Sequence, residues 1–153
     1  MPPEAAGPPH TTPRGLTFLS TLLPAPKDSR LNMKETNSRK FVPKGWGYED
    51  WIVNKDLYCG KLLFFKKGKR CSWHYHKLKD ETFYIHRGEL EVKYGWSDEK
   101  IGLGTKTIIL KEGDEFHVPV GMRHQMTGLT DVEMFEFSTQ HFDEDSIRIE
   151  KGD

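Results

Sequence analysis

Short alternating segments separated by glycine-containing turns constrain the fold of this sequence more than any other feature. From Phe41 onward no 11-residue window shows apolar residues at helical spacing, whereas short runs are apolar or alternate between apolar and polar. Glycine interrupts these runs, as at Arg87-Gly88 and Val120-Gly121. The pattern predicts nine strands, at 48–54, 58–66, 71–77, 81–87, 89–95, 106–111, 115–118, 123–128 and 132–138. Nine short strands in so few residues favour an all-β fold, either a closed barrel or two packed sheets.

Proline is concentrated at the start of the chain. Seven of the nine prolines fall in the first 26 residues, a composition that sustains neither helix nor sheet. We therefore predict a disordered extension over 1–40, one folded domain over 41–143, and a charged C-terminal segment over 144–153 that holds a short turn or helix. Two alternatives for the extension stay open: the apolar stretch at 16–23 is a targeting peptide, or the working chain begins at Met33.

Charge and cysteine content exclude several functional classes. Basic and acidic residues both number 23, so the chain presents no overall field for nucleic acid or an anionic membrane. No apolar run has the length of a transmembrane helix. Cys59 and Cys71 are too few for a disulfide scaffold and form no Cys-x-x-Cys pair. We expect a cytoplasmic protein with reduced thiols that binds a small molecule.

Three of the seven histidines and one glutamate have the spacing of a metal site. His74 and His76 are separated by one residue, so on a strand their imidazoles project from the same face. A tight hairpin after this strand would bring Glu81 beside them, and His124 follows a turn that leads into another strand. Three imidazoles and one carboxylate suit Zn, Mn, Fe, Co, Cu or Ni rather than Ca or Mg. The alternative for any His-x-His pair is two exposed strand positions.

A wider pattern surrounds these four residues. It reads Gly-x5-His-x-His-x4-Glu-x6-Gly from Gly68 to Gly88, and Gly-x5-Pro-x-Gly-x2-His from Gly113 to His124. The two runs resemble the paired motifs of the cupin superfamily, in the right order and 24 residues apart. One departure is Gly128, which stands where an asparagine usually ends the second motif. The resemblance implies a cupin jelly-roll β-barrel with one divalent transition metal held by His74, His76, Glu81 and His124.

Alternation along the strand at 81–87 predicts which side chains near Glu81 point inward and which point outward. Phe83 and Ile85 should share its inward face, whereas Tyr84 and His86 should point outward. We expect His86 to be a surface or second-sheet histidine, and His141, which follows the last predicted strand, to be structural or exposed.

Three further stretches resemble the cupin domain of type II phosphomannose isomerases. The segment Pro43-Lys-Gly-Trp-Gly-Tyr-Glu49 is similar to its Pro-Trp-Gly-containing opening. The run from Cys71 to Phe83 is similar to its histidine-rich segment, with His74 at a glutamine position. The run from Phe135 to Arg148 is similar to its closing segment. This likeness implies a sugar or sugar-phosphate isomerase, which we expect to lack the nucleotidyltransferase domain that often precedes this cupin.

The resemblance also suggests catalytic residues. Glu136 occupies the place of a glutamate in the family's last strand and is the candidate proton shuttle; the alternative is a solvent-facing carboxylate. Arg148 and Lys79 match family positions that bear arginine and are candidates to hold a phosphate or sugar hydroxyls. The alternative for both is a solvated surface cation. Trp46 and Tyr48 are either a platform for a sugar ring or part of the core.

Three functions follow from a metal site with open coordination positions. The first is isomerisation or epimerisation of a monosaccharide or its phosphate, in which the metal stabilises an enediolate while a side chain moves a proton. The second is an iron-dependent dioxygenase of a small molecule. The third is a sugar- or metal-binding cupin without activity. We also expect a homodimer, formed through the 41–54 segment.

Overall fold

Antiparallel strands make up nearly all the regular structure of this protein. A computed structural model describes residues 39–153, so the predicted extension lies almost wholly outside the described residues. Within that range there is no α-helix, only a 3-10 turn at Asp143–Asp145, and no helix that could cross a membrane. The strands are β1 (Lys40–Lys44), β2 (Gly47–Asn54), β3 (Cys59–Phe65), β4 (Trp73–His76), β5 (Glu81–Arg87), β6 (Leu90–Gly95), β7 (Lys106–Leu110), β8 (Glu115–Val118), β9 (Arg123–Gly128), β10 (Val132–Ser138) and β11 (Ser146–Glu150).

The strands divide between two sheets. One has six strands in the order β1-β2-β3-β10-β5-β8, and the other has five in the order β11-β4-β9-β6-β7. Strands that follow each other in sequence, such as β4 and β5, often belong to opposite sheets. The chain therefore crosses repeatedly between two facing layers, which confirms the predicted all-β, jelly-roll fold.

All nine predicted strands are present, with ends within two residues of the prediction. Two strands were not predicted. β1 pairs with β2, and β11 pairs with β4. The C-terminal segment thus contains a strand as well as the expected short turn. Its partner lies some 70 residues earlier in the chain, and five alternating residues are a weak signal until that partner is known.

The core lies between the two sheets and follows the alternation of the strands. Phe83 and Ile85 on β5 are fully buried together with Phe65 on β3, whereas Tyr84 and His86 on β5 are exposed. Burying each large apolar side chain contributes about 1.5–3 kcal/mol. The core therefore fixes the register of β5 and, with it, the inward direction of Glu81 at the start of that strand.

Glycine is required at two positions next to the core, one in a turn and one at the end of β9. Gly88 has a φ of +92°, and a Cβ there would lie 2.3 Å from the carbonyl oxygen of Asp131. A Cβ at Gly128 would lie 2.8 Å from the Thr130 carbonyl oxygen and 3.0 Å from that of Lys66. The departure from the asparagine of the second motif therefore has a steric reason, because the strands approach too closely here for a side chain.

Candidate metal centre

The four predicted metal ligands converge between the two sheets. His74 and His76 lie on the inward face of β4, and His124 on β9 is directly opposite His74 in the antiparallel register. Glu81 reaches the same point from the other sheet, as the first residue of β5. The predicted hairpin between these strands is wrong, because β4 and β5 belong to different sheets. Glu81 meets the histidines across the core instead.

The orientation of each imidazole leaves one nitrogen available to the site. The Nδ1 atoms of His74, His76 and His124 lie 2.9, 3.1 and 3.1 Å from the carbonyl oxygens of Ser72, Asp145 and Met122. A carbonyl oxygen only accepts hydrogen bonds, so each Nδ1 carries the proton and each Nε2 keeps its lone pair. This tautomer leaves Nε2 of each histidine free to bind a metal ion.

The donor atoms lie close together, and two of them are buried without a hydrogen-bond partner. One ligand atom from each histidine lies within 4.8 Å of the others. Glu81 Oε1 is 3.5 Å from His76 Nε2 and 3.2 Å from His124 Nε2. Glu81 Oε1 and His124 Nε2 are nevertheless buried with no hydrogen-bond partner. Two facing lone pairs without a donor are costly in a protein interior, and a divalent cation would satisfy both, so these residues fit a transition metal.

Burial sets the protonation states around this group. Burial lowers the pKa of His74 well below its ordinary value, and burial together with the charge of Lys79 lowers that of His76 to about 4. Burial alone would raise the pKa of Glu81, but the charge of Lys79 holds it well below its usual range. Near neutral pH His74 and His76 are therefore neutral and Glu81 is ionised, the forms that bind metal ions.

A chain of alternating charges extends from Glu81 towards the cavity mouth. Lys79 Nζ is 2.5 Å from Glu81 Oε2 and 2.9 Å from Glu136 Oε1. Lys61 Nζ is 3.6 Å from Glu136 Oε1 and 3.4 Å from Glu49 Oε2, and Lys44 Nζ is 3.1 Å from Glu49 Oε1. The order is Lys44, Glu49, Lys61, Glu136, Lys79 and Glu81. We refer to these six residues as the charge chain.

The charge chain keeps its carboxylates ionised. Burial raises the pKa of Glu49, but Lys61 and Lys44 outweigh it and bring the pKa to about 2. Burial also raises the pKa of Glu136, but Lys61 and Lys79 outweigh it, and the pKa is lowered. Burial lowers the pKa of Lys79, but Glu136 and Glu81 outweigh it and raise that pKa. Three cations and three anions therefore balance within the protein interior.

The ligand cluster and the charge chain line one cavity of about 250 Å³. The predicted catalytic residues Glu136, Lys79 and Arg148 all line it, and so does Trp46. Tyr48 does not line it; its ring stacks on Phe64 on the other side of the sheet, at a centroid distance of 5.2 Å.

Sequence reasoning did not assign several cavity residues to the site, among them Glu49, Lys61 and His141. The sequence did contain a signal for Lys61, because it alternates in phase with the apolar Leu63 and Phe65 on β3. In the structure all three side chains are buried, and Lys61 is only 1% exposed. His141 was expected to be structural or exposed. It lines the cavity instead, with Nδ1 3.0 Å from Lys61 Nζ and Nε2 3.2 Å from Asp143 Oδ1.

Comparison with known proteins agrees with this architecture. A family model described as a cupin domain matches residues 61–138, just over half of the chain. No curated protein matches the sequence.

Three solved structures share the fold. The capsular polysaccharide assembling protein CapF from Staphylococcus aureus superposes with a TM-score of 0.63 at 18% identity, over 73% of this chain and 34% of CapF. Oxalate decarboxylase from Bacillus subtilis superposes with a TM-score of 0.62 at 17% identity, over 72% of this chain and 30% of the decarboxylase chain. KdgF from Halomonas sp. superposes with a TM-score of 0.54 at 18% identity, over 63% of this chain and 81% of KdgF. The chain thus matches only about a third of the first two proteins, and identities this low establish the fold alone.

The sheet order, the inward-facing histidines and the match of the family model lead to one assignment. This chain belongs to the cupin domain family.

Proposed function

We propose that this chain is a metal-dependent isomerase or epimerase of a monosaccharide or a sugar phosphate. The observation that carries the proposal is the direct contact between a metal-ligand candidate and an acid–base pair. Lys79 bridges Glu81 and Glu136, and all three side chains line the same cavity. A site that only bound a structural ion would not need charged side chains placed beside it in a cavity.

His74, His76, Glu81 and His124 would hold a divalent ion of Zn, Mn, Fe, Co or Ni. Such an ion would act as a Lewis acid that polarises the oxygens of a hydroxy-carbonyl group. The three imidazoles are held in place by their carbonyl hydrogen bonds, so the donor atoms are arranged before any ligand arrives.

Glu136 is the proposed proton shuttle. Its Oε1 accepts hydrogen bonds from Lys79 and from the Ser138 hydroxyl, at 2.9 and 3.3 Å, while its Oε2 has no hydrogen-bond partner among residues 39–153. Its lowered pKa keeps the carboxylate ionised and able to accept a proton from a substrate carbon. Lys79 stays protonated and orients this carboxylate. Arg148, which lines the same cavity, is the proposed residue that holds substrate oxygens.

The experiment combines elemental analysis with proton NMR. Purified protein is assayed for bound metal and then incubated in D₂O with mannose, fructose, lyxose and their phosphates. Exchange is followed at C2 of the aldoses and at C1 of fructose, whose C2 carries no hydrogen. We expect stoichiometric metal and exchange into one sugar. The E136Q variant should lose about 10²- to 10⁴-fold in rate, the usual contribution of a general base. The matched control is E133Q, on the outward face of the same strand. Metal without exchange in any sugar would contradict the proposal.

A binding role without turnover is the second candidate. One observation favours it: Lys79 and Glu136 neutralise each other in a 2.9 Å ion pair, and a carboxylate with a lowered pKa is a weaker base. Sugar binding without exchange would support this role, whereas iron with oxygen uptake would support a dioxygenase.

We also propose a cytoplasmic homodimer. The outward face of the six-stranded sheet exposes Phe41, Phe137 and Tyr84, at 61%, 55% and 40%. Ile52 and Tyr58, also exposed, line a neighbouring groove of about 370 Å³. These five side chains present roughly 500 Å² of mostly apolar surface, taking about 200 Å² for a whole aromatic side chain. This surface is a large part of the ~800 Å² that each partner buries in a stable dimer. Phe41 and Ile52 come from the predicted 41–54 segment.

The free thiols of Cys59 and Cys71 support the cytoplasmic location.

A further inference from the structure

The charge chain leaves no free charge on the inner wall of the cavity. Each of its three lysines contacts at least one of its three glutamates, and the net charge of the six residues is zero. The lysine that matched an arginine position, Lys79, is 4% exposed and is held by two carboxylates. It is therefore not free to bind a ligand anion. On the proposed function, a divalent ion at the histidine cluster would leave two positive charges without counterions in a low-dielectric cavity.

Arg148 lies on the face of β11 that looks into the cavity. In the register with β4, Arg148 is opposite His74 and Ser146 is opposite His76, so all four side chains project from the same face of the sheet. Arg148 and Ser146 both line the cavity. Within residues 39–153 the guanidinium of Arg148 makes neither an ion pair nor a side-chain hydrogen bond.

The acidic residues at the mouth have other partners. Asp153 Oδ2 accepts a 2.8 Å hydrogen bond from the Arg70 backbone, and its Oδ1 lies 3.3 Å from Lys69 Nζ. Asp143 Oδ1 is 3.2 Å from His141 Nε2. Lys151, a second cation that lines the mouth, has no ion-pair partner among the described residues.

We infer that the ligand of this cavity carries an anionic group, a carboxylate or a phosphate, which Arg148 binds with Ser146 and Lys151 beside it. A guanidinium offers the two parallel N–H donors that match either oxyanion. The cavity volume of about 250 Å³ fits a ligand of monosaccharide size. The inference rests on the proposed function for its metal ion and deepens it, since it excludes a neutral sugar as the preferred ligand.

Isothermal titration calorimetry on the full-length, metal-loaded protein tests the inference. The probes are D-glucose, D-glucuronate and D-glucose 6-phosphate, which share a ring and differ in charge. We expect at least one anionic probe to bind about 10- to 100-fold more tightly than glucose, the usual effect of a charge-assisted hydrogen-bond pair. R148Q should remove this advantage. R87Q, a change at an exposed arginine on β5, should keep it.

Each outcome decides a separate point. Preference for glucuronate identifies a sugar acid, and preference for glucose 6-phosphate identifies a sugar phosphate. Equal affinity for all three probes, no binding of either anion, or an unchanged preference in R148Q would overturn the inference. Anion binding that depends on Arg148 in a protein without hydrogen exchange in any sugar would refute the isomerase proposal alone.

Discussion

Lys79 is the buried cation on which the charge chain depends, and its replacement by methionine has a calculable effect. The side chain is 4% exposed and contacts two buried carboxylates, Glu81 at 2.5 Å and Glu136 at 2.9 Å. Methionine has a similar shape but no charge, so both carboxylates lose their nearest counterion. Breaking a buried ion pair in this way costs about 3–5 kcal/mol. For a folded unit of this size we expect a fall in Tm of roughly 10–20 °C.

The pH dependence follows from Glu136. In the wild-type protein its pKa is lowered, so its contribution to stability is present above its unfolded pKa and is lost as the pH falls through the folded value. In K79M, burial and the loss of Lys79 act in the same direction and raise this pKa. The difference in stability between the two proteins should therefore be largest at neutral pH and shrink as the pH approaches about 5.

Urea denaturation of the metal-free protein, followed by tryptophan fluorescence at pH 7.5 and pH 5, measures both effects. K77M is the matched control, because Lys77 is exposed on the connection between β4 and β5 and should change stability by less than about 0.5 kcal/mol. A loss of under about 1 kcal/mol in K79M, or a difference that grows on acidification, would refute the electrostatic reasoning.

Two further predictions concern the metal and the assembly. H76A should abolish stoichiometric metal binding in elemental analysis, whereas H86A, at an exposed histidine of β5, should retain it; full metal content in H76A would refute the ligand assignment. Light scattering should give a mass of about twice 17.8 kDa for the wild-type protein and about 17.8 kDa for F137K. W96K is the control, since Trp96 is similarly exposed, at 62%, but lies outside the six-stranded sheet. A dimeric F137K would place the interface elsewhere.

The sequence was informative wherever the signal was local. Alternation predicted nine strands and the inward direction of Phe83 and Ile85, because the side-chain period of a strand is a property of the backbone alone. The spacing of His74 and His76 placed two imidazoles on one face for the same reason. The motif resemblance then joined Glu81 and His124 to them. Metal binding itself stays a prediction, although the fold brings all four residues together.

Tertiary structure decided what depends on contacts between distant segments. The sequence does not reveal that β4 and β5 separate into opposite sheets, because both possible arrangements preserve the alternation. It gave no indication that Lys61 would meet Glu136, 75 positions away, or that β11 would carry Arg148 to a position opposite His74. A charged residue within an apolar strand indicates only that its charge must be balanced; the partner is determined by the folded chain. The local pattern therefore determined the strands and the candidate ligands, and packing of the two sheets determined the charge balance of the cavity.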